Sequence, residues 1–455
     1  MGSVRKFVTS YAGRRLILGA FIEWLRDACL KADSLLTAKR LRIYPILVIV
    51  MSVGTFAVSI GKAAITGGLP FDSFGSPVAV DLTAHVTAGW IALHGDLSRL
   101  YDLNYQWQVQ QGLLGSGHEG FLDAYLSPPF VAFAYAPLAG LPYLTAAVLW
   151  TVFTIILLAL SFHLIWPLVP NLHRYGYRRV LIVTLSCWPV FELLGDGQDS
   201  AISLLLLVAG LRLLLARRDL VAGGLLGLGL FKPQLFLMIP VLLLLQRRWR
   251  ALGGWVTVAL VLAGVSMAIM GVEGARSYVD VFTSDSYGTW IADRLGWKMQ
   301  SLAALARTLF LGSSAFLVAP IMAVGGAIAL VLLIKASSRQ VLDDRATTLL
   351  YAFSILLIPM FNPHFFIYDV VVLLPGALIL LNERPASPAV RVSIATAYVL
   401  TFTAPIRYIL FGHAPGPIPF LSAPWTVVPF VVLAFLARAA QTERHLETRG
   451  PATLP

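Results

Sequence analysis

Long apolar runs recur along the whole chain, and short clusters of Arg and Lys separate them. A run of roughly 20 apolar residues is the length that an α-helix needs to cross a bilayer. Only 13% of the residues are charged, against about 25% in soluble domains. The sequence therefore predicts an all-α fold, a polytopic transmembrane helix bundle, rather than a set of soluble domains.

The basic clusters mark the cytoplasmic side of the predicted bundle, as the positive-inside rule requires. Threading the apolar runs between them predicts about twelve spans, with both termini in the cytoplasm. The predicted spans lie near 43–62, 143–168, 180–195, 200–216, 220–231, 233–245, 251–271, 313–334, 346–361, 365–382, 389–406 and 424–437. The net charge of +11 is explained by these loops. We expect no nucleic-acid partner, because no basic domain with base-stacking aromatic residues lies outside the membrane.

The chain divides into an N-terminal segment, 1–42, a transmembrane bundle, 43–438, and a tail, 439–455. Residues 1–42 are too charged for a cleavable signal peptide. Their apolar residues recur at helical spacing, which predicts a helix that either lies on the cytoplasmic membrane surface or docks on the bundle. Cys29 and Cys187 are too few for a disulfide framework or a thiolate metal site.

A long, weakly apolar outer loop, 63–127, follows the first span. It is acidic, and Arg99 is its single Arg or Lys. Long loops in compact proteins tend to be functional. The next run, 128–141, is short and flanked by proline; we interpret it as a partial helix on the outer side, with an extra span as the alternative.

One apolar stretch must cross the membrane twice, because the basic residues on both sides of it are predicted to be cytoplasmic, but it is too short for two full spans. The apolar stretch 221–245 has 25 residues and lies between Arg218 and Arg247, which must both be cytoplasmic. A hairpin of short helices fits, with its tip at 231–234, because Pro233 disfavours helical geometry at the residue before it. Lys232 would then lie within the membrane region or toward its outer half.

Polar groups at membrane depth are costly and mark function by default. The predicted topology sends most of them to the outer face. They are Asp81 and His85, then Asp196, Gln198 and Asp199, then Lys232 and Gln234, then Asn362, His364 and Asp369, and finally Arg407. A bundle that brings these distant segments together would form one acidic, basic and hydrogen-bonding pocket.

Each of these residues also has a purely structural alternative. Asp81 precedes a helical stretch and could serve only as its N-cap. His85, one turn later, either orients Asp81 or is a packed histidine. Lys232 could extend to the headgroups, Gln198 could be a turn residue, and His364 could cap a helix hairpin.

Nine short segments occur in an order typical of one known family. They are Asp81-Leu-Thr-Ala-His85, Ala88-Gly89-Trp90, Leu93-His94-Gly95, Leu100-Tyr101-Asp102, Tyr125-Leu-Ser-Pro128-Pro129-Phe, Ala136-Pro137-Leu, Gly197-Gln198, Gly227-Leu-Gly-Leu-Phe-Lys232-Pro233-Gln234 and Asn362-Pro363-His364. Over roughly residues 70–380 the chain resembles glycosyltransferase family 87 of the GT-C superfamily. That family includes polyprenyl-phosphate-mannose-dependent mannosyltransferases that build phosphatidylinositol mannosides.

The resemblance implies a GT-C-like membrane enzyme that moves a sugar, mannose by analogy, from a polyprenyl-phosphate donor to a glycolipid or glycan acceptor. It implies a catalytic base at Asp81, a contact between Lys232 and the lipid phosphate, and a sugar site lined by Gln198 and His364. Family members often carry an aromatic residue where His85 stands, which leaves the sugar and the acceptor open. The remaining candidate substrate-binding residues are Gln234, Asn362 and Arg407.

The resemblance also implies a location in the inner (plasma) membrane, among membrane lipids, with the site facing the periplasm or the cell exterior. Its chemistry suits these residue types. Negative charge develops on the leaving phosphate, and a nearby cation stabilises that charge in a low-dielectric site. The acceptor hydroxyl must lose a proton, and a positioned carboxylate serves as the general base.

One carboxylate suffices for a single inverting displacement. A retaining double displacement needs a second, close carboxylate as nucleophile, for which Asp196, Asp199 and Asp369 are available. No two aspartates have the D-x-D spacing of nucleotide-sugar enzymes. We therefore expect no nucleotide, no metal and no other cofactor.

Two other classes of protein fit part of the pattern. A transporter or lipid flippase would also have many spans and polar residues at membrane depth, but transporters often carry broken helices in corresponding halves. This chain shows one short hairpin and no counterpart in its second half. An assembly subunit without catalysis would not need Asp81.

Overall fold

The computed structural model describes residues 11–115, 123–283, 295–310, 314–337, 343–383, 386–411 and 423–447. Within these ranges the regular structure is helical, as predicted, and β-type pairing is limited to two isolated bridges. The α-helices are α1 (Tyr11–Ser34), α2 (Ala38–Ile65), α3 (Leu82–His94), α4 (Leu103–Leu114), α5 (Pro129–Ala139), α6 (Tyr143–Ile165), α7 (Tyr177–Leu185), α8 (Trp188–Asp196), α9 (Ser200–Leu215), α10 (Asp219–Gly227), α11 (Pro233–Phe236), α12 (Met238–Leu245), α13 (Trp249–Thr283), α14 (Leu302–Phe310), α15 (Ser314–Ser337), α16 (Asp344–Leu356), α17 (Ile358–Phe361), α18 (Leu374–Asn382), α19 (Pro388–Thr401), α20 (Thr403–Phe411) and α21 (Val427–Glu447). Short 3-10 helices occur at Leu97–Arg99, Trp166–Leu168, Pro170–Tyr175, Leu228–Phe231, Gly296–Lys298 and Ile367–Leu373.

Among the residues that the structure describes, six helical stretches are long and apolar enough to cross a membrane. They are Ala38–Ile65, Tyr143–Leu168, Trp249–Val281, Val318–Ser337, Asp344–Phe361 and Pro388–Leu410. Shorter apolar helices occupy the positions of several other predicted spans. Helix α9, for example, has 16 residues and is therefore about 24 Å long, whereas the hydrocarbon core of a bilayer is about 30 Å thick. The described ranges show an all-helical, multi-pass membrane protein, and the predicted count of about twelve spans is not confirmed.

Two predicted spans have different boundaries in the structure. The stretch predicted as one span at 180–195 consists of α7 and α8, which are separated at Ser186 and Cys187. Pro189 lies in the first turn of α8, where its missing N–H is tolerated, whereas it would interrupt a continuous helix. The span predicted at 251–271 is longer, because α13 continues to Thr283 past a kink at Gly271.

The predicted helix break at Lys232 is present. The turn Leu228–Phe231 ends α10, and Lys232 has φ −128° and ψ 70°, outside the helical region. Pro233 then begins α11. Lys232 therefore lies at the junction of two short helical segments, as the length of the apolar stretch predicts.

The N-terminal helix α1 is attached to the bundle near its C-terminal end. The Asp33 carboxylate accepts hydrogen bonds from Arg391 Nε at 2.7 Å and Nη2 at 2.6 Å, on α19. Trp24 is nevertheless exposed, so α1 both docks on the bundle and presents an apolar side chain outward. At the other end of the chain, α21 continues to Glu447, and the predicted tail from 439 begins as helix.

Helix α3 is the most enclosed element of the first outer loop, and it follows Asp81 as predicted. Its residues are buried on nearly all sides. Gly89 allows this packing, because an added Cβ would lie 2.7 Å from the main-chain carbonyl of Tyr135 on α5. Helix α5 has 11 residues, about 16 Å, which agrees with a partial helix at 128–141 rather than a full span.

Candidate active site

One cavity of about 380 Å³ opens where the first outer loop meets the α8–α9 turn, the Lys232 junction, α13 and the segment 362–369. Seven of the eight candidate site residues line it. They are Asp81, His85, Gln198, Lys232, Gln234, Asn362 and His364. The structure thus brings together side chains that the sequence separates widely, as the predicted topology required.

Arg407 is the candidate that the structure does not bring to this cavity. It lies half-buried on α20, and it is not among the lining residues. Its neighbour Tyr408 stacks on Trp297, with ring centroids 4.5 Å apart. The substrate-binding role of Arg407 stays a prediction.

Asp81 directs its carboxylate to the α8–α9 turn rather than to the helix that follows it. It occupies the N-cap position of α3, but its backbone is helical and its side chain makes no capping hydrogen bond. Instead, Oδ2 accepts a hydrogen bond from Gln198 Nε2 at 2.5 Å. The capping alternative is therefore wrong for this side chain.

The α8–α9 turn also fixes the backbone of Asp81. The Asp81 N–H donates to the carbonyl of Asp196 at 2.8 Å. Gly197 follows with φ +72°, and an added Cβ there would lie 2.7 Å from the Cβ of Ala79. Glycine suits both the left-handed backbone and the close approach. This turn brings the Gln198 amide against Asp81.

Lys232 is surrounded by acceptors. Its Nζ lies 2.7 Å from Asp199 Oδ1 and 3.1 Å from Asp369 Oδ1. It also donates to Gln198 Oε1 at 3.1 Å and to Ser200 Oγ at 2.9 Å. The side chain is only 12% exposed, so it faces this cluster and does not extend to the headgroups.

Asp199 and Asp369, which the sequence left unplaced, are the counter-ions of Lys232. Their side chains are 0% and 1% exposed. Ser200 Oγ donates to Asp369 Oδ1 at 2.5 Å, and the Phe366 N–H donates to Oδ2 at 3.3 Å. Buried charges need such partners.

His85 packs within the site and contacts two of its acids. Its Nδ1 lies 3.1 Å from the main-chain oxygen of Asp81, and its Nε2 lies 3.5 Å from Asp199 Oδ2. The ring packs against Tyr135, with centroids 4.5 Å apart. His85 is therefore a packed histidine, and because its contact with Asp81 is to the main-chain oxygen, its orienting role stays a prediction.

The segment that leads into the Tyr125-Leu-Ser-Pro128-Pro129-Phe motif forms another wall. Asp123 and Tyr125 line the cavity, and two glutamines on α4 hold them in place. Gln110 accepts from the Asp123 N–H at 3.1 Å and donates to the Asp123 carbonyl at 2.6 Å. Gln106 accepts from the Tyr125 N–H at 2.7 Å and donates to its carbonyl at 3.2 Å.

Asp123 was counted only as one of the acidic residues of the outer loop, and no motif marked it. Burial raises the pKa of its carboxyl well above the usual range, and the negative charge of Asp81 raises it further. Its Oδ2 is enclosed and has no hydrogen-bond partner within the described ranges.

Lys298 is a second buried cation that the sequence analysis missed. It pairs with Asp196 and lies 3.1 Å from Glu192 Oε1. Burial acts to lower the pKa of Lys298, but the nearby carboxylates, Asp196 foremost, raise it above the usual range. Glu192 and Asp196 lie one turn apart on α8, so their spacing indicates an acidic face of that helix. No feature of the sequence indicated that this face pairs with Lys298.

The segment around Asn362 and His364 closes the cavity. The Gln300 N–H donates to the Phe365 carbonyl at 2.6 Å, and the His364 N–H donates to Asn362 Oδ1 at 2.9 Å. Asn362 Nδ2 is buried without a partner in the described part of the chain. Burial lowers the pKa of His364 to about 4, with a further contribution from the positive charge of Arg307. His364 is therefore neutral at pH 7.

The aromatic residues of the outer segment 272–300 predict either a wall of the acceptor groove or anchors at the membrane interface. Tyr278 lines the cavity, whereas Trp290 and Arg294 lie outside the described residues. Across the described ranges, no three His, Cys, Asp or Glu side chains form a group that could hold a metal ion.

Residues 125–359 match the family model described as Glycosyltransferase family 87. This range is just over half of the chain. The chain belongs to glycosyltransferase family 87. It is a membrane glycosyltransferase, as the sequence resemblance implied. No curated protein and no solved structure matches the chain.

The family match covers the Lys232 side of the cavity. Gln198, Lys232 and Gln234 lie inside the matched range, and so does Tyr125. Asp81 precedes the range, and so its place in the site is supported by the geometry of the cavity alone.

Proposed function

We propose that this family 87 enzyme transfers a sugar from a polyprenyl-phosphate donor to a glycolipid or glycan acceptor, with inversion at the anomeric carbon and Asp81 as the general base. Mannose is the sugar that the family resemblance favours. The observation that carries the proposal is the Asp81 carboxylate, which lines the cavity, caps no helix and is oriented by Gln198.

The proposed reaction is a single displacement. The acceptor oxygen bonds to the anomeric carbon as the bond from that carbon to the phosphate oxygen breaks. The acceptor proton passes to Asp81, and the electron pair of the broken bond stays on the phosphate. Because Gln198 occupies Oδ2, the other carboxylate oxygen of Asp81 is the one that takes the proton.

Lys232 is the cation that we assign to the developing phosphate charge. Its ammonium group has three protons and four acceptors nearby. Gln198 and Ser200 are neutral, and either can yield its place to a phosphate oxygen without leaving a carboxylate unpaired. Asp199 and Asp369 then hold the ammonium group in position.

The arrangement of carboxylates favours inversion. Asp199 is fully buried behind Lys232, and Asp369 is bonded to Ser200, Lys232 and the Phe366 N–H. Neither is free to act as a nucleophile in a retaining reaction, which needs a second close carboxylate. Asp123 is the other acid of the cavity wall; burial raises the pKa of its carboxyl group, which disfavours the ionised form that a nucleophile needs.

The proposed topology has about twelve spans and an active site that faces the periplasm or the cell exterior. The cavity supports this orientation, because its residues come from segments that the positive-inside rule assigns to the outer side. Basic residues on the opposite face include Arg217 and Arg248, which pair with Asp344 and Asp219.

The test is sugar transfer by the purified protein with a panel of radiolabelled polyprenyl-phosphate sugars and a membrane lipid extract. The wild type is compared with Asp81→Asn and with Asp96→Asn. Asp96 is a matched control on the same outer loop, because it caps a short helix through Ser98 and asparagine caps equally well.

We expect transfer by the wild type and by Asp96→Asn, and a loss of about 10²–10⁴-fold in Asp81→Asn, the usual contribution of a general base. Transfer that survives in Asp81→Asn would place the base elsewhere. Absence of transfer from every donor would contradict the proposal and direct attention to lipid or sugar flux.

A further inference from the structure

Asp123 is held in the cavity wall through its main chain, and its carboxyl group also accepts a hydrogen bond from the Ala84 N–H at the start of α3. Gln110 binds the main-chain N–H and carbonyl of Asp123, and Gln106 does the same for Tyr125 two residues later. Alternate residues of an extended chain point to the same side, and both side chains line the cavity. The wall is therefore built from the backbone, and Oδ2 of the Asp123 carboxyl group is left without a hydrogen-bond partner among the described residues.

None of the buried cations described in the structure is committed to this carboxyl group. Lys232 pairs with Asp199 and Asp369, and Lys298 pairs with Asp196 and Glu192. Asp123 Oδ2 is enclosed and has no hydrogen-bond partner among the described residues. An ionised carboxylate in that position would carry a large desolvation penalty.

The same conclusion follows from the neighbouring charges. Burial is the main cause that raises the pKa of Asp123, and the charge of Asp81 is the next. Two carboxyl groups near one site do not both ionise readily. Asp81 carries the negative charge in the proposed reaction, so Asp123 keeps its proton.

We propose that Asp123 is a substrate-binding residue that, as a neutral carboxylic acid, donates a hydrogen bond to a sugar hydroxyl group beside the reacting centre. This inference rests on the proposed function. A carboxylic acid offers one O–H donor and a carbonyl acceptor, which matches a hydroxyl group, itself both donor and acceptor. The hydroxyl group belongs either to the donor sugar or to the acceptor glycan.

The experiment compares Asp123→Asn and Asp123→Ala with the wild type and with Asp81→Asn. Both Asp123 variants keep the main-chain contacts to Gln110, and folding is checked by thermal melting in detergent. The amide of asparagine is neutral and donates a hydrogen bond, so we expect Asp123→Asn to keep kcat within about tenfold. Asp123→Ala loses the hydrogen bond, and we expect the KM of one substrate to rise about tenfold.

The substrate whose KM rises identifies the partner. A rise for the polyprenyl-phosphate sugar assigns the hydroxyl group to the donor, and a rise for the acceptor assigns it to the acceptor. Either result supports the inference. An unchanged KM for both substrates in Asp123→Ala would overturn it.

A second outcome would overturn the inference in a different way. If Asp123→Asn abolishes transfer as fully as Asp81→Asn, then Asp123 acts as an ionised carboxylate. Retention at the anomeric carbon of the product would then identify Asp123 as the nucleophile. Absence of transfer by the wild type would refute the proposed function, and this inference with it.

The proton on Asp123 is also measurable without activity. Infrared spectra at pH 7 should show the carbonyl stretch of a protonated carboxylic acid that is lost in Asp123→Asn and kept in Asp96→Asn. A spectrum without that difference would show an ionised Asp123 and would overturn the inference whatever the kinetics.

Discussion

The Gln198 amide donates from Nε2 to Asp81 Oδ2 at 2.5 Å. The same amide accepts at Oε1 from Lys232 Nζ at 3.1 Å, so its orientation is fixed by a carboxylate on one side and a cation on the other. One neutral side chain thus links the proposed base to the proposed phosphate-binding cation.

Gln198→Glu places a second carboxylate beside Asp81. Like charges disfavour each other's ionised form, so we expect the acid limb of the kcat/KM profile to move to higher pH. Gln198→Leu removes the hydrogen bond without adding charge, and its profile should be lower but not shifted upward in pH. The pH dependence of transfer by both variants measures this difference, and equal profiles would exclude the electrostatic link.

We expect Lys232→Met to lower kcat by about 10²–10³-fold, because the loss of one preorganised group that stabilises developing charge reduces kcat by about that factor. It also leaves two buried carboxylates without their cation, and breaking a buried pair costs about 3–5 kcal/mol. We therefore expect a lower melting temperature in detergent.

The double variant Lys232→Met/Asp369→Asn separates these two effects. Removal of one uncompensated charge should restore part of the stability, whereas activity should stay low because the cation is still absent. Recovery of transfer in the double variant would show that Lys232 acts through folding alone.

The parts of this molecule that sequence reasoning predicted are those with a local signal. Pro233 and the short apolar stretch predicted the break at Lys232. Threading the chain between its basic clusters predicted one pocket for distant polar residues, and seven of the candidates line one cavity. Asp123 and Lys298 were not predicted, because Asp123 lies in an irregular segment and Lys298 in a three-residue 3-10 helix, and neither is long enough to show periodicity. Their roles depend on Gln110 and Asp196, which are distant along the chain.

The number of spans is harder to predict for a related reason. Hydropathy and basic clusters count apolar runs, but several runs here form short or broken helices, such as α7 and α8. Whether such a pair crosses the bilayer depends on tertiary packing. Arg407 is a similar case, because its position after an apolar run did not reveal that it lies apart from the cavity.

Gly89→Ala tests the close approach of α3 and α5. The new Cβ would lie 2.7 Å from the main-chain carbonyl of Tyr135, and backbone cannot move as a side chain does. We expect a loss of about 1–3 kcal/mol and reduced transfer, because α3 carries His85 and begins next to Asp81. Gly112→Ala on α4 is the control: a Cβ there meets nothing within 4 Å, and alanine favours a helix by about 0.5–1 kcal/mol. Equal melting temperatures for the two variants would refute the packing argument.

His364 gives a prediction for stability against pH. Its pKa in the folded protein is lowered to about 4 from about 6.5, chiefly by burial. Between these values the unfolded chain binds a proton that the folded chain does not, so the free energy of unfolding falls as pH drops from about 6.5 to about 4. We expect His364→Gln, which cannot titrate, to show a shallower decline over this range in denaturant unfolding in detergent. His94→Gln is the control, because the His94 side chain is exposed to water in the folded protein. If both variants lose stability as steeply as the wild type, the decline comes from carboxyl groups elsewhere, and His364 is not buried in its neutral form.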